Sequence, residues 1–240
     1  MNRATRNRNR NRNRATVQLA DIHPTAQYEL SYAQWQRFTG FDRQWKTLTI
    51  TTVCDYASIH AAAQALIPLE RQLMSADAAR QRDDILLEDA LEISGYLRPL
   101  GIQADGSYPA TERLFYRVLK VTEVVGLFYK ARFNVPRPRL FNPALRPFLP
   151  DPWHGSFPSN HALQSMSIAL LFSQLLPEVA PVSALFRSAR RIAKNREYAG
   201  IHTELDTQAG FELAEKFLPF LSKILEDDLI AANAEWRAAQ

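Results

Sequence analysis

Apolar side chains recur at intervals of three and four along most of the chain, whereas runs that alternate apolar with polar residues are scarce. The pattern predicts α-helices over residues 28–38, 55–74, 76–97, 110–132, 160–176, 180–198 and 203–225, with a last piece near 226–238. In the fourth of these, Phe115, Val118, Leu119, Val121, Val125 and Phe128 fall on one broad stripe, the face that a helix buries. The segment TLTITTV at residues 47–53 is the one local β signal; it is too short to make a sheet alone and reads as an extended connector. Prolines at 136, 138, 143, 147, 150 and 152 interrupt the helical period, so residues 136–157 read as a loop placed where a substrate mouth would be useful. The fold class expected is all-α, a compact helical bundle whose active site lies at helix ends and the Pro-rich loop.

At 240 residues, with 46% hydrophobic and 22% charged side chains, the chain is long enough to bury a sizeable core. Its opening segment, MNRATRNRNRNRNRA, departs from that composition. An Asn-Arg repeat with almost no apolar residue cannot bury a core, so residues 1–15 read as a disordered tail and 16–240 as a single helical domain. Removing the tail's six arginines from the formal charge of +4 leaves −2, so the basic character belongs to the tail. Such a tail can contact nucleic acid or an anionic membrane, but short basic patches often have no role, and nucleic acid is not an expected partner. The following residues, ATVQLADIHPTAQ, lack the apolar stretch of a secretory signal. The longest uncharged segment, 162–177, is short and interrupted by Gln164, Ser165, Ser167, Ser173 and Gln174, so it reads as a core helix and not as a membrane span. A cytoplasmic location without stable membrane insertion is expected from these absences. The single Cys54 has no partner for a disulfide or a metal site and reads as a small buried residue.

Three segments concentrate the chemistry: KARFNVPRP at 130–138, FPSNHA at 157–162 and NREYAGIHTELD at 195–206. Lys130, Arg137 and Arg196 can match the charge and lone pairs of a phosphate dianion, the arginines through paired hydrogen bonds and the lysine as a compact point charge. A lone cation is more often a solvated surface group, but Lys130 ends an apolar run and Arg137 sits between two prolines, where the backbone is stiff. Ser159 suits the N-cap of a helix beginning at Asn160. Its hydroxyl and the backbone N–H groups of Asn160 and His161 would then face an oxyanion, with His161 set to protonate a leaving group. Taken alone, that tetrapeptide is equally an ordinary cap beside a satisfied histidine. His202 and Asp206, four residues apart, can share one helix face, so that the carboxylate takes the Nδ1 proton and leaves Nε2 free as a nucleophile. His23, His60 and His154 show no ligand spacing to each other or to this pair, so no metal site is expected.

The order K-x6-R-P, then P-S-G-H, then S-R-x5-H-x3-D is the signature of the type 2 phosphatidic acid phosphatase (PAP2) superfamily, which this chain resembles at nine of eleven fixed positions within residues 130–206. That superfamily includes bacterial class A acid phosphatases, membrane lipid phosphatases and vanadium-dependent haloperoxidases, all built on a helical bundle. The chain's length and missing spans resemble the soluble class A phosphatases. The resemblance implies that Lys130, Arg137, Ser159, the Asn160 amide and Arg196 bind phosphate, that His161 is general acid and base, and that His202 is the nucleophile oriented by Asp206. It implies a metal-independent phosphatase with no cofactor, acting on a small phosphorylated substrate, a phosphomonoester or a diphosphate, through a phosphohistidine intermediate. Two positions depart from the pattern: Asn160 stands where the family has glycine, and Asn195 where it has serine. Asn160 keeps its backbone N–H, and its side chain is expected to narrow the pocket and alter specificity.

The rival enzyme reading holds vanadate in the same pocket, with His202 as axial ligand and Lys130 polarising a bound peroxide. Trp153, His154 and Phe157 would then serve a halide pocket, or contact substrate, or simply pack the loop. Two further readings are an inactive relative and a binding protein that works through its basic tail. The sequence sets no oligomeric state.

Overall fold

The computed structural model describes residues 29–53, 55–90, 92–176 and 182–239. The Asn-Arg tail, Cys54 and the first two residues of the helix expected from 180 lie outside them. Among the described residues there are helices and irregular connections and no strand: α1 (Tyr32–Gly40), α2 (Asp42–Trp45), α3 (Tyr56–Gln64), α4 (Leu66–Leu73), α5 (Ala79–Asp89), α6 (Ser94–Leu97), α7 (Pro109–Phe133), α8 (Pro138–Phe141), α9 (Asn160–Leu175), α10 (Val182–Tyr198), α11 (Glu204–Ile224) and α12 (Glu226–Ala238).

Helix α9 is the centre of the bundle. Its apolar residues are spread around the axis, with Leu163, Ile168, Ala169, Leu171 and Phe172 all buried, so it presents no solvated face and packs against α7, α10 and α11 together. Ser165, buried with them, returns its hydroxyl to the backbone, donating to the His161 carbonyl at 2.6 Å. At its N-terminus α9 approaches α11 closely. A Cβ on Gly210 would lie 2.6 Å from the Ser159 carbonyl oxygen and 2.7 Å from Ala162 Cβ, so only glycine admits this contact. There Ser159 N–H donates to the Asp206 carbonyl at 2.9 Å, tying the start of α9 to the first turn of α11.

Helix α7 opens with Pro109, whose missing N–H costs nothing in a first turn. Glu235 of α12 accepts from Ala110 N–H and Thr111 N–H at 2.8 and 2.9 Å, capping α7 from across the bundle. The helix ends at Asn134, which takes the left-handed conformation (φ 48°) and donates to the Lys130 carbonyl at 2.8 Å. Lys130 is therefore held in the last turn, with Arg137 just beyond it at the N-cap of α8.

Two expected helices are each broken. The span 55–74 divides at Ala65 into α3 and α4, because Pro68 has no N–H for the Gln64 carbonyl and can sit only in the first turn of a new helix. The span 76–97 stops at Asp89: Ala90 is extended (ψ 157°), and the Glu92 carboxylate accepts from Ser94 N–H and Oγ, starting α6. The connector at 47–53 is irregular as expected, and Glu212 of α11 clamps it by accepting from the backbone and hydroxyl groups of Thr51 and Thr52 at 2.6–3.0 Å. The Pro-rich loop carries one turn of helix, α8.

Candidate active site

The capping box at the start of α11 builds the first half of the site. Thr203 is the N-cap and Asp206 is the third helical residue; Asp206 N–H donates to Thr203 Oγ1 at 3.4 Å, and Thr203 N–H donates to Asp206 Oδ2 at 2.7 Å. The same Oδ2 accepts from Ser156 Oγ at 2.7 Å and lies 3.3 Å from His202 Nδ1. Burial alone would raise the pKa of Asp206, but the hydrogen bonds from His202, Ser156 and Thr203 hold it below the usual carboxylate range. One ionised oxygen thus caps a helix and orients an imidazole.

Arg137 fixes the other side of that imidazole. Its Nη1 lies 3.2 Å from His202 Nε2 and donates to the Ile201 carbonyl at 2.7 Å. A guanidinium can only donate, so Nε2 is the acceptor and the ring proton sits on Nδ1, facing Asp206. Burial, with Lys130 nearby, pushes the pKa of His202 well below its ordinary value against the opposing pull of Asp206, so the ring stays neutral. The rest of the Arg137 fork is largely committed: Nε donates to the His154 carbonyl at 3.2 Å, and Nη2 lies 3.1 Å from His154 Nδ1. Lys130, 1% exposed, donates from Nζ to the carbonyls of Gly155 and Ser156 at 3.0 and 2.7 Å, which leaves one ammonium N–H free. Burial depresses its pKa well below normal, with Arg137 adding to the effect and Asp206 opposing it.

The second half of the site is organised by Glu88, at the end of α5. Its carboxylate accepts from Arg196 Nη2 at 3.0 Å, from Asn195 Nδ2 at 3.0 and 3.1 Å and from Arg191 Nη1 at 2.6 Å. Its carbonyl accepts from His161 Nε2 at 3.1 Å, so Nε2 carries the proton of the neutral ring and Nδ1 is the free nitrogen. Burial, then the charge of Arg196, push the pKa of His161 down to about 3, with the hydrogen bond to Glu88 opposing them. Arg196 is fully buried, and its Nε and Nη1 make no hydrogen bond. Three buried cations, Lys130, Arg137 and Arg196, face the carboxylates of Asp206 and Glu88, and the exposed Asp89 lies 3.6 Å from Arg196 Nη1.

Ser159 caps α9 as expected, its Oγ accepting from Ala162 N–H at 3.4 Å. Asn160, His161, Arg137 and His202 line one cavity of about 290 Å³, together with His154, Gln164 and Glu123. Lys130, Ser159, Arg196 and Asp206 stand behind that lining. The sequence reading missed Glu88 and Ser156 and left His154 undecided. Their contacts are tertiary, and none lies in a motif position; only the closeness of Ser156 to Pro158 offered a local hint. Trp153, by contrast, is 90% exposed, and Phe157 is buried against Phe133. Among the described residues no group of three or more His, Cys, Asp or Glu side chains is placed to hold a metal ion.

No protein-family model matches the chain, and no curated protein matches it. Among solved structures the fold is similar to one described as the first transmembrane PAP2 type phosphatidylglycerolphosphate phosphatase from Bacillus subtilis, with 19% identity, a TM-score of 0.50, and coverage of 82% of this chain and 98% of that one. The chain thus shares the helical fold of that structure. The narrower resemblance to soluble class A phosphatases gains nothing from this match. The expectation of a cytoplasmic location is corrected, because the solved structure that shares the fold is a transmembrane protein. Among the described residues no helix is long and apolar enough to cross a membrane.

Proposed function

We propose that the protein is a phosphatase that cleaves a terminal phosphate from a small ester or diphosphate, without a metal ion, through a phosphohistidine at His202. The observation that carries this reading is the buried chain from Asp206 through His202 to Arg137, which supports a neutral imidazole with its Nε2 lone pair turned toward the cavity. In the first step the Nε2 lone pair attacks phosphorus in line. The bond from phosphorus to the leaving oxygen breaks, and His161 delivers a proton to that oxygen. Arg137 exchanges its bond to Nε2 for a phosphate oxygen, and the charges of Lys130 and Arg196, just behind the cavity lining, favour the anion through space. In the second step water attacks the phosphohistidine, the P–N bond breaks, and His161 takes the proton. Asn195, where the family has serine, keeps Arg196 in place through their shared partner Glu88.

The test is hydrolysis of an aryl phosphate in chelator by the wild type and His202→Ala. Turnover that resists chelator and falls roughly 10⁴-fold or more in the variant is expected. A folded wild type without turnover on aryl, sugar or vesicle-borne lipid phosphates would remove the reading.

A further inference from the structure

Asn160 is the one cavity residue at which the chain departs from the motif it otherwise follows, and its side chain has an unusual setting. Its Oδ1 is buried without a hydrogen-bond partner. That oxygen lies in the space a side chain on Gly126 would need: a Cβ built on Gly126 would come within 2.0 Å of Oδ1 and 2.8 Å of Cγ. Gly126 sits in the middle of α7, one turn before Lys130, where glycine costs helix stability and has no turn to make. Its φ is ordinary, so its role here is space. The amide Nδ2 forms no hydrogen bond in the protein either, yet it is not among the buried unpartnered atoms, so it keeps access to the cavity that Asn160 lines.

We infer that Gly126 and Asn160 are a matched pair that determines specificity: Gly126 admits the Asn160 amide, which fills part of the cavity and offers Nδ2–H to the bound substrate. The inference rests on the phosphatase reading. The donor favours small substrates with a hydrogen-bonding leaving group, because a buried N–H left unpaired by an apolar group carries a penalty. The lost volume excludes bulky aryl leaving groups.

Gly126→Ala and Asn160→Gly, alone and combined, test it. The readouts are melting temperature, orthophosphate binding by calorimetry, and kcat/KM for glycerol phosphate and naphthyl phosphate. Gly126→Ala alone is expected to lower the melting temperature and cut kcat/KM by about ten-fold or more, and to do far less when residue 160 is glycine. Asn160→Gly is expected to raise the naphthyl-to-glycerol ratio of kcat/KM by about ten-fold. Equal effects of Gly126→Ala in both backgrounds, or an unchanged ratio, would overturn the inference. Loss of the underlying reading looks different: folded wild type would neither bind orthophosphate nor turn over, while the coupling in melting temperature would persist.

Discussion

In the proposed mechanism His161 governs the pH dependence. In the free protein its pKa is pushed down to about 3 and that of His202 also lies well below normal, so both rings are neutral across the working range. The proposed first step nevertheless needs one proton for the leaving group. It enters with the substrate: the phosphate monoanion, whose second pKa is about 6, carries it to His161 inside the site. We expect kcat/KM to be level just below about pH 6 and to fall ten-fold per unit above the substrate's second pKa. A set of aryl phosphates with different second pKa values checks this. The alkaline limb should move with the substrate, and a limb fixed near pH 6.5 for all of them would return the proton to a free histidine of ordinary pKa. The residues of this machinery were legible because the motifs name side chains whose order in the chain survives folding. Glu88 was not, since nothing in the amphipathic helix that carries it distinguishes it from Asp84 or Asp89.

At the scale of elements, the candidate site is made of helix ends. The last turn of α7 holds Lys130, the first turn of α9 holds His161, and the capping box of α11 holds Asp206 against His202. Two capping variants separate folding from orientation. Thr203→Ala removes the N-cap hydroxyl and a methyl but leaves the Asp206 carboxylate, and should cost about 1 kcal/mol by denaturant unfolding while leaving kcat within a few-fold. Asp206→Ala strips the acceptor from Ser156, Thr203 and His202 together and should cost about 3 kcal/mol and at least roughly 10²-fold in kcat. Equal losses of activity in the two variants would contradict the orienting role. Apolar periodicity located these helices because each buries a stripe or a whole surface. It ran together α3 with α4 and α5 with α6, since the breaks come from Pro68 and from the extended backbone of Ala90, which a three-to-four spacing does not register.

At the scale of the whole molecule, the proposed anion site lies inside a bundle whose other buried groups are mostly apolar. A phosphate bound as proposed would give the buried Lys130, Arg137 and Arg196 a further counter-charge, so orthophosphate or vanadate should stabilise the fold. At a hundred times its dissociation constant the ligand adds about 2.7 kcal/mol, or roughly 5–10 °C in melting temperature for a chain of this size. Lys130→Gln should lose most of that shift, and a wild type whose melting temperature ignores both anions would contradict the site. The bundle architecture was legible from the pattern, but the location was not: absent apolar runs describe these helices and say nothing of where the protein works. The proposed mechanism turns on His202 as nucleophile. Rapid quench of a ³²P-labelled aryl phosphate tests that directly, using wild type, His161→Ala and His202→Ala. Acid-labile, base-stable label on His202 is expected in the wild type, accumulating in His161→Ala and absent from His202→Ala; label on another residue, or full turnover by His202→Ala, would contradict it.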